Sequence, residues 1–313
     1  MCRYVIGGDH QGQPASGQQN HISAALAALA EAHSRDLPKL VEALYAPAAQ
    51  WRGAHPINEV TGTAAIAAVW LALLEAFPDL ERPDVIVTGG SYDGRDYVAT
   101  VGHYCGTKRR TWLGIPATGA PIFIRYGEVH QILDGCMVQS NCLWDVLDVI
   151  RQAGFRPLAP SLGVEGMWPG PFTGAGRVFR ETDPVQSAAS IAQTLAMHGT
   201  LGAHDDLNGT GRQGLLAMPQ RDHWHPKMMW YGPSGIGMTR GLQGFVDYHQ
   251  LPFRTAFPKP KGGGHYIRIG DGPYSVTGGW PSVYAMHIGP DFLGVSATGK
   301  SVTMRVMDFY LHH

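Results

Sequence analysis

Several things this chain lacks narrow its reading before any motif is considered. Its most apolar stretch, residues 64–74, falls far short of the ~20 residues that a membrane-spanning helix needs. The opening MCRYVIGGDHQGQ has no apolar run resembling a secretory signal, so no membrane partner and a cytoplasmic location are expected. The 24 Lys and Arg and 25 Asp and Glu are scattered, with a formal net charge of −1. A basic footprint for a polyanion is therefore missing, and nucleic acid is not an expected partner. The four cysteines, Cys2, Cys105, Cys136 and Cys142, form no CxxC pair and are too few for a disulfide framework, so they read as reduced thiols. No GxSxG elbow occurs, and covalent nucleophilic catalysis is unsupported. A GxGxxG does stand at residues 209–214, but it follows AHDDLN rather than a strand, which fails the context test for a dinucleotide site. No cofactor is called for.

What is present is an internal repeat. Trp51 is followed by Thr61-Gly62, Phe77-Pro78, LGIPATG at 113–119, Arg125 and Glu128. Trp230 is followed by Arg240-Gly241, Phe257-Pro258, LGVSATG at 293–299, Arg305 and Asp308. From Trp to Gly is 11 residues in both halves, and from Gly to Phe 15 in one and 16 in the other. At 313 residues, two domains of about 150 residues each are the natural division. The Pro/Gly-rich stretch at 155–183, with PLAPSLG and WPGPFTGAG, reads as the linker. The expected domains are residues 20–154 and 184–313.

Each half opens with helical text. Asn20 is placed to cap an Ala/Leu-rich helix over 21–33, and Asp183-Pro184 supplies an N-cap and first-turn proline for a helix running to His198. Second helices are expected over 64–76 and 242–256. After each Phe-Pro the text turns to β-branched and aromatic runs broken by turn residues, as in VIVT, SYDGRDYVATV and HYIRIGDGPYSVTGGW. Helices followed by a meander of strands mean an α+β fold.

Helices ending in F-P, a W-x-G-P segment and LGxxATGxxVxxRxxD on the late strands together resemble the SnoaL-like polyketide cyclase family. The closing DVLDVIRQAG at 145–154 is similar to the family's final helix, and HIG at 287–289 to its HxG. The resemblance implies two cone-shaped, cystatin-like domains, each with N-terminal helices packed in a curved, mixed, mostly antiparallel sheet around a small-molecule pocket. It also implies pairing of such cones, here as an intrachain pseudo-dimer or as a homodimer. The same cone holds isomerases, dehydratases, hydrolases and plain binding modules. Two departures stand out: the first copy has Tyr104 where the second has His287, and the second has no counterpart to residues 138–147.

Strand periodicity puts Glu128 and His130 on one face and Asp308 and Tyr310 on the matching face of the second copy, with Arg125 and Arg305 opposite. A carboxylate inside an apolar cone resists ionisation, which brings it into range for proton transfer. Asp308 is the first choice as acid/base group, with His287 and Tyr310 as hydrogen-bond partners and Glu128 as its counterpart. Trp230, Tyr231, His249 and Trp280, with Trp51, Tyr104 and His130 in the first copy, are candidates for lining a pocket that takes a polycyclic or apolar carbonyl compound. The bland alternative for each carboxylate is a structural ion pair, and for each aromatic a core position. His223-Trp224-His225 has strand-face HxH spacing, but no third ligand is apparent and no metal site is read. A cofactor-independent cyclase, isomerase or hydrolase is the leading function, and a non-catalytic binding module the alternative.

Overall fold

The computed structural model describes residues 15–166, 168–171, 173–202 and 211–313. It divides into two compact units: residues up to Phe155 with Pro169–Asp183, and Arg156–Trp168 with Pro184–His313. The stretch at 155–183 is therefore shared between them. Arg177 bridges to Val87 in the first unit, and Val164 to Met238 in the second.

The first unit begins with α1 (Ala15–Ala30), α2 (Leu37–Leu44), β1 (Tyr45–Gly53), β2 (Glu59–Thr61) and α3 (Thr63–Ala76). Strands β3 (Asp84–Tyr92), β4 (Arg95–Thr107), β5 (Pro121–Leu133) and β6 (Cys136–Trp144) follow, and α4 (Val146–Gln152) closes the unit. The strand order is β2-β1-β6-β5-β4-β3, antiparallel except where β1 runs parallel to β6. Asp93-Gly94 and Asp134-Gly135, each pair at positive φ, make the two-residue turns that join β3 to β4 and β5 to β6, because the paired left-handed residues match the strand twist. In α1, Ile22, Ala25, Leu26, Leu29 and Ala30 form one buried stripe, the spacing that lets a helix cover a sheet. Asn20 is exposed within α1 rather than capping it, since helical text continues upstream to Ala15.

The second unit has α5 (Pro184–Gly202), α6 (Gly211–Ala217), β7 (Met229–Tyr231) and β8 (Met238–Arg240). A composite helix follows: α7 (Gly241–Phe245), a π-helical turn (Val246–Gln250) and α8 (Leu251–Ala256). Strands β9 (Lys261–Gly262), β10 (Ile267–Asp271), β11 (Tyr274–Met286) and β12 (Ser301–Leu311) form a sheet in which β11 lies between β10 and β12 and also pairs with β9. Pro184 opens α5 as the sequence suggests. Among the described residues no strand takes the place of β6 beside β12, and β7 and β8 pair only with each other.

Local geometry matches between the units at several anchors. Leu113-Gly114 and Leu293-Gly294 occupy the same positive-φ turn, closed by reciprocal bonds between Trp112 and Ile115 and between Phe292 and Val295. Trp51 and Trp230 each fold back against the glycine two residues on, Gly53 and Gly232, where a Cβ would collide with the indole.

Two further expectations change. His223 and His225 lie in a turn after a short 3-10 turn (Pro219–Asp222), not on a strand, and among the described residues no group of three or more His, Cys, Asp or Glu could hold a metal. Cys105 and Cys142 are free thiols, whereas Cys136 is disulfide-bonded; Cys2 lies outside the described residues. Of the GxGxxG stretch, Gly209 and Thr210 lie outside the described residues and Gly211 opens α6. Among the described residues no helix is long and apolar enough to cross a membrane.

Candidate functional site

Glu128 and Asp308 hold one position in the two sheets. Glu128 on β5 stands opposite Thr100, and Asp308 on β12 opposite Thr277. Their surroundings differ completely.

Around Glu128 the interior is filled. Arg82 Nη1 donates to its carboxylate at 2.8 Å, Tyr104 at 2.9 Å and Trp144 Nε1 at 2.7 Å. His130 Nε2 lies 3.4 Å away, while His130 Nδ1 meets Ser140 Oγ at 2.8 Å. Arg82 also bonds Tyr104, Asp84 at 3.2 Å and Thr100 at 2.9 Å, with its guanidinium 4.2 Å above the Tyr126 ring. Trp144 packs edge-on against Trp51 at 5.3 Å and Tyr104 at 5.6 Å, and Trp70 against Tyr104 at 5.9 Å. Arg82, Tyr104, Glu128, His130, Trp51 and Trp70 are all buried. Burial alone would raise the Glu128 pKa, but the Arg82 charge and bonds from His130 and Trp144 outweigh it and hold the carboxyl far below its ordinary range. Glu128 is thus a saturated, ionised carboxylate. It is the centre of an ion network inside a packed core, not a poised proton acceptor.

Among the described residues Asp308 has no such cationic partner. Where β3 is preceded by Arg82 in the first unit, β10 is preceded by the glycines 262–264. Burial pushes the Asp308 pKa up to about 7, with a hydrogen bond from Tyr310 pulling the other way. Asp308, Tyr310, Trp230, Tyr231 and His249 all keep accessible surface, although burial governs the titration of Asp308, Tyr310, Tyr231 and His249.

The sequence candidates fall into separate groups. Tyr310 lies two residues from Asp308 on the same strand face, and its hydroxyl is 2.8 Å from His198 Nε2 on α5, a residue the sequence reading did not single out. Its signal was weak, for a histidine late in an Ala-rich helix reads as an ordinary surface residue. Trp230 and His249 stack at 4.4 Å with planes 16° apart, and Phe245 stands edge-on to Trp230 at 5.3 Å. Burial and then the Arg254 charge push the His249 pKa down to about 4, so this imidazole is neutral. Tyr231, next along β7, faces Trp168 at 5.3 Å instead.

Two candidates are displaced. His287 does not share the site of Asp308. Its backbone bonds to Lys300 and Gly299 reproduce those of Lys108 to Ala120 and Gly119, so its counterpart is Lys108 and not Tyr104. With its backbone bonded at Lys300, eight residues before Asp308, His287 lies roughly 25 Å away along the strand, buried against Phe257 at 4.9 Å. The register position of Tyr104, opposite Ile124, is taken in the second unit by Val283, opposite Met304. Trp280 sits under the Arg305 guanidinium at 5.2 Å, on the face opposite Asp308.

The helix between Gly and Phe-Pro accounts for a further difference. Counted from the preceding glycine, His249 stands where Trp70 does. The extra residue of the second copy is absorbed by the π-helical turn over Val246–Gln250, the usual outcome of a one-residue insertion in a helix and a frequent mark of functional sites.

Residues 23–153 match the SnoaL-like polyketide cyclase family model. Similar solved structures include a SnoaL-like protein of Jannaschia sp. CCS1 (20% identity, TM-score 0.38, 47% of this chain and 99% of that one). IdmH of Streptomyces antibioticus is 23% identical, with a TM-score of 0.37 over 44% of this chain and 99% of its own. AclR of Streptomyces galilaeus is 19% identical, with a TM-score of 0.35 over 44% of this chain and 99% of its own. No curated protein matches the chain. The match to the SnoaL-like polyketide cyclase family model spans residues 23–153, which hold the helices, six-stranded sheet and closing helix of the first unit.

Proposed function

We propose that the second unit binds a ring-containing, carbonyl-bearing small molecule, and that Asp308 acts on it as general base and then general acid without a cofactor. The observation that carries this reading is the opposite state of two carboxyls at one register position, Glu128 held ionised by Arg82 and Asp308 raised to about 7. A group that titrates near neutrality can take a proton and return it.

The first unit also suggests where the molecule lies. There the Trp144 indole spans the distance between Trp51 and Glu128, and the Tyr104 ring fills the space between Trp70 and Glu128. The second unit has Trp230 and Asp308 but, among the described residues, neither a β6 counterpart nor a ring at Val283. We assign the vacated volume to the ligand, a flat ring system seated between the Trp230–His249 pair and Asp308. Removal of a proton beside the carbonyl would leave negative charge on its oxygen. The neutral imidazole of His249 is suited to donate to that oxygen, an interaction worth roughly 10²–10³ in rate. The matched turns and fold-back tryptophans support reading the two units as copies of one domain, the first kept as a filled, non-catalytic copy.

The test is hydrogen exchange. Incubated in D₂O with carbonyl-bearing polycyclic compounds, the protein is expected to return at least one compound deuterated beside its carbonyl, and Asp308→Asn to slow this more than about 100-fold while still binding it in native mass spectrometry. A compound that binds but comes back unlabelled from the parent protein would favour a binding module.

A further inference from the structure

Asp308 is the first member of a longer chain of polar groups. Tyr310 stands two residues from Asp308 on the same strand face, and its hydroxyl is 2.8 Å from His198 Nε2. His198 packs edge-on to the Tyr310 ring at 5.7 Å, which fixes the plane of the imidazole. Its far nitrogen, Nδ1, is buried without a hydrogen-bond partner among the described residues, and so is Nδ1 of His265, whose ring centre is 5.2 Å from that of His198. Buried, unpaired ring nitrogens on adjacent histidines are costly, and two together at the end of one chain call for an explanation.

We propose that Asp308, Tyr310 and His198 form a proton relay, in which His198 is a positioning residue that changes tautomer whenever Asp308 gains or loses its proton. This rests on the reading of Asp308 as the proton carrier. With Asp308 protonated, its O–H donates to Tyr310 Oη, the Tyr310 O–H donates to His198 Nε2, and the imidazole proton sits on Nδ1. When the site discharges, the Asp308 proton passes to Tyr310 Oη, the Tyr310 proton passes to Nε2, and the Nδ1 proton leaves to water on the side of His265. One proton has left, Asp308 is a carboxylate accepting from Tyr310, and His198 is again neutral but protonated on Nε2. Reversing the steps reloads the acid. No atom is oxidised or reduced, and every member keeps a hydrogen bond in both states.

The surroundings suit conduction rather than storage. His265 and, on β10, Arg268 face His198, while Thr277 on β11 faces Asp308 and Tyr310. His312, just after β12, meets α5 one turn before His198, bonded to Thr194 at 3.2 Å and to Ser275 at 2.8 Å. Burial, and then the charges of His265 and Arg268, push the His198 pKa down to about 4. A second proton is therefore not held on this ring at neutral pH, and the relay passes charge without trapping it.

The experiment uses the full chain labelled with ¹⁵N-histidine and ¹³C-aspartate, with His198→Gln and Asp308→Asn to assign the signals, titrated between about pH 5.5 and 8.5. The expected result is that the His198 Nδ1 and Nε2 resonances exchange their protonated and bare positions with the midpoint of the Asp308 carboxyl, and that Tyr310→Phe abolishes the exchange while leaving an Asp308 titration. Constant His198 tautomer signals alongside a titrating Asp308 would overturn the relay and leave the functional reading intact. A carboxyl at Asp308 that does not titrate in this window would overturn both.

Discussion

A single residue upstream decides what a buried carboxylate does. Glu128 and Asp308 hold matching register positions, each opposite a threonine, yet Arg82 reaches the first from 46 residues away and, among the described residues, no guanidinium pairs with the second. Glu128→Gln leaves the Arg82 charge short of a buried partner. We expect a loss of about 3–5 kcal/mol in urea unfolding of the first unit, with no change in the Asp308 titration. For Asp308 the sign is reversed. Its folded pKa stands above its unfolded one, so its contribution to stability is full in acid and is lost as pH rises from about 4 towards 7. Asp308→Asn should therefore raise the melting temperature at about pH 8 and leave it nearly unchanged at about pH 4, and a variant destabilised equally at both would contradict the burial of this carboxyl. Strand periodicity puts both carboxylates on matching faces in the sequence, and only the family resemblance favours that face as the inward one. Their opposite charge states are not readable there, because the distance to a guanidinium is set by the packing of β3 on β4 and not by any local pattern.

The helices and turns show how one inserted residue can be used. An interval of 16 residues from Gly241 to Phe257, against 15 from Gly62 to Phe77, leaves an α-helix one residue over between fixed ends, and the π-helical turn takes up the surplus. Deleting Tyr248, which is exposed, should restore a regular helix, turn His249 off Trp230 and raise tryptophan fluorescence at neutral pH; a deletion variant with unchanged fluorescence would mean the stack does not depend on the π turn. Close approach of α5 to the sheet is a second element-scale feature. A Cβ at Gly270 would fall on the Ser187 carbonyl, so Gly270→Ala should lower second-unit stability by about 1–3 kcal/mol through displaced backbone. The same scale explains why His287 was misplaced by its motif. The β11 pairing slips between Gly279 and Val283, and a register change of this kind moves every later residue relative to its partner strand.

At the scale of the molecule, the chain carries two cores of different finish. The first is closed by β6 and filled by Trp51, Trp70, Tyr104 and Trp144; the second, among the described residues, has β12 paired on one side only and a wall of partly exposed polar and aromatic groups. Two unfolding transitions are expected by calorimetry, one moved by Glu128→Gln and the other by Asp308→Asn, and a single transition moved by both would show that the units do not melt independently. The α+β class, the helix and strand order and the repeat of anchors were determined by the sequence alone, because periodicity, turn chemistry and spacing are local properties of the chain. Which carboxyl is held ionised by a guanidinium, which histidine bonds Tyr310 and which core is filled by tryptophans were decided only by the tertiary structure, because each depends on groups far apart in sequence meeting in a medium that water does not screen.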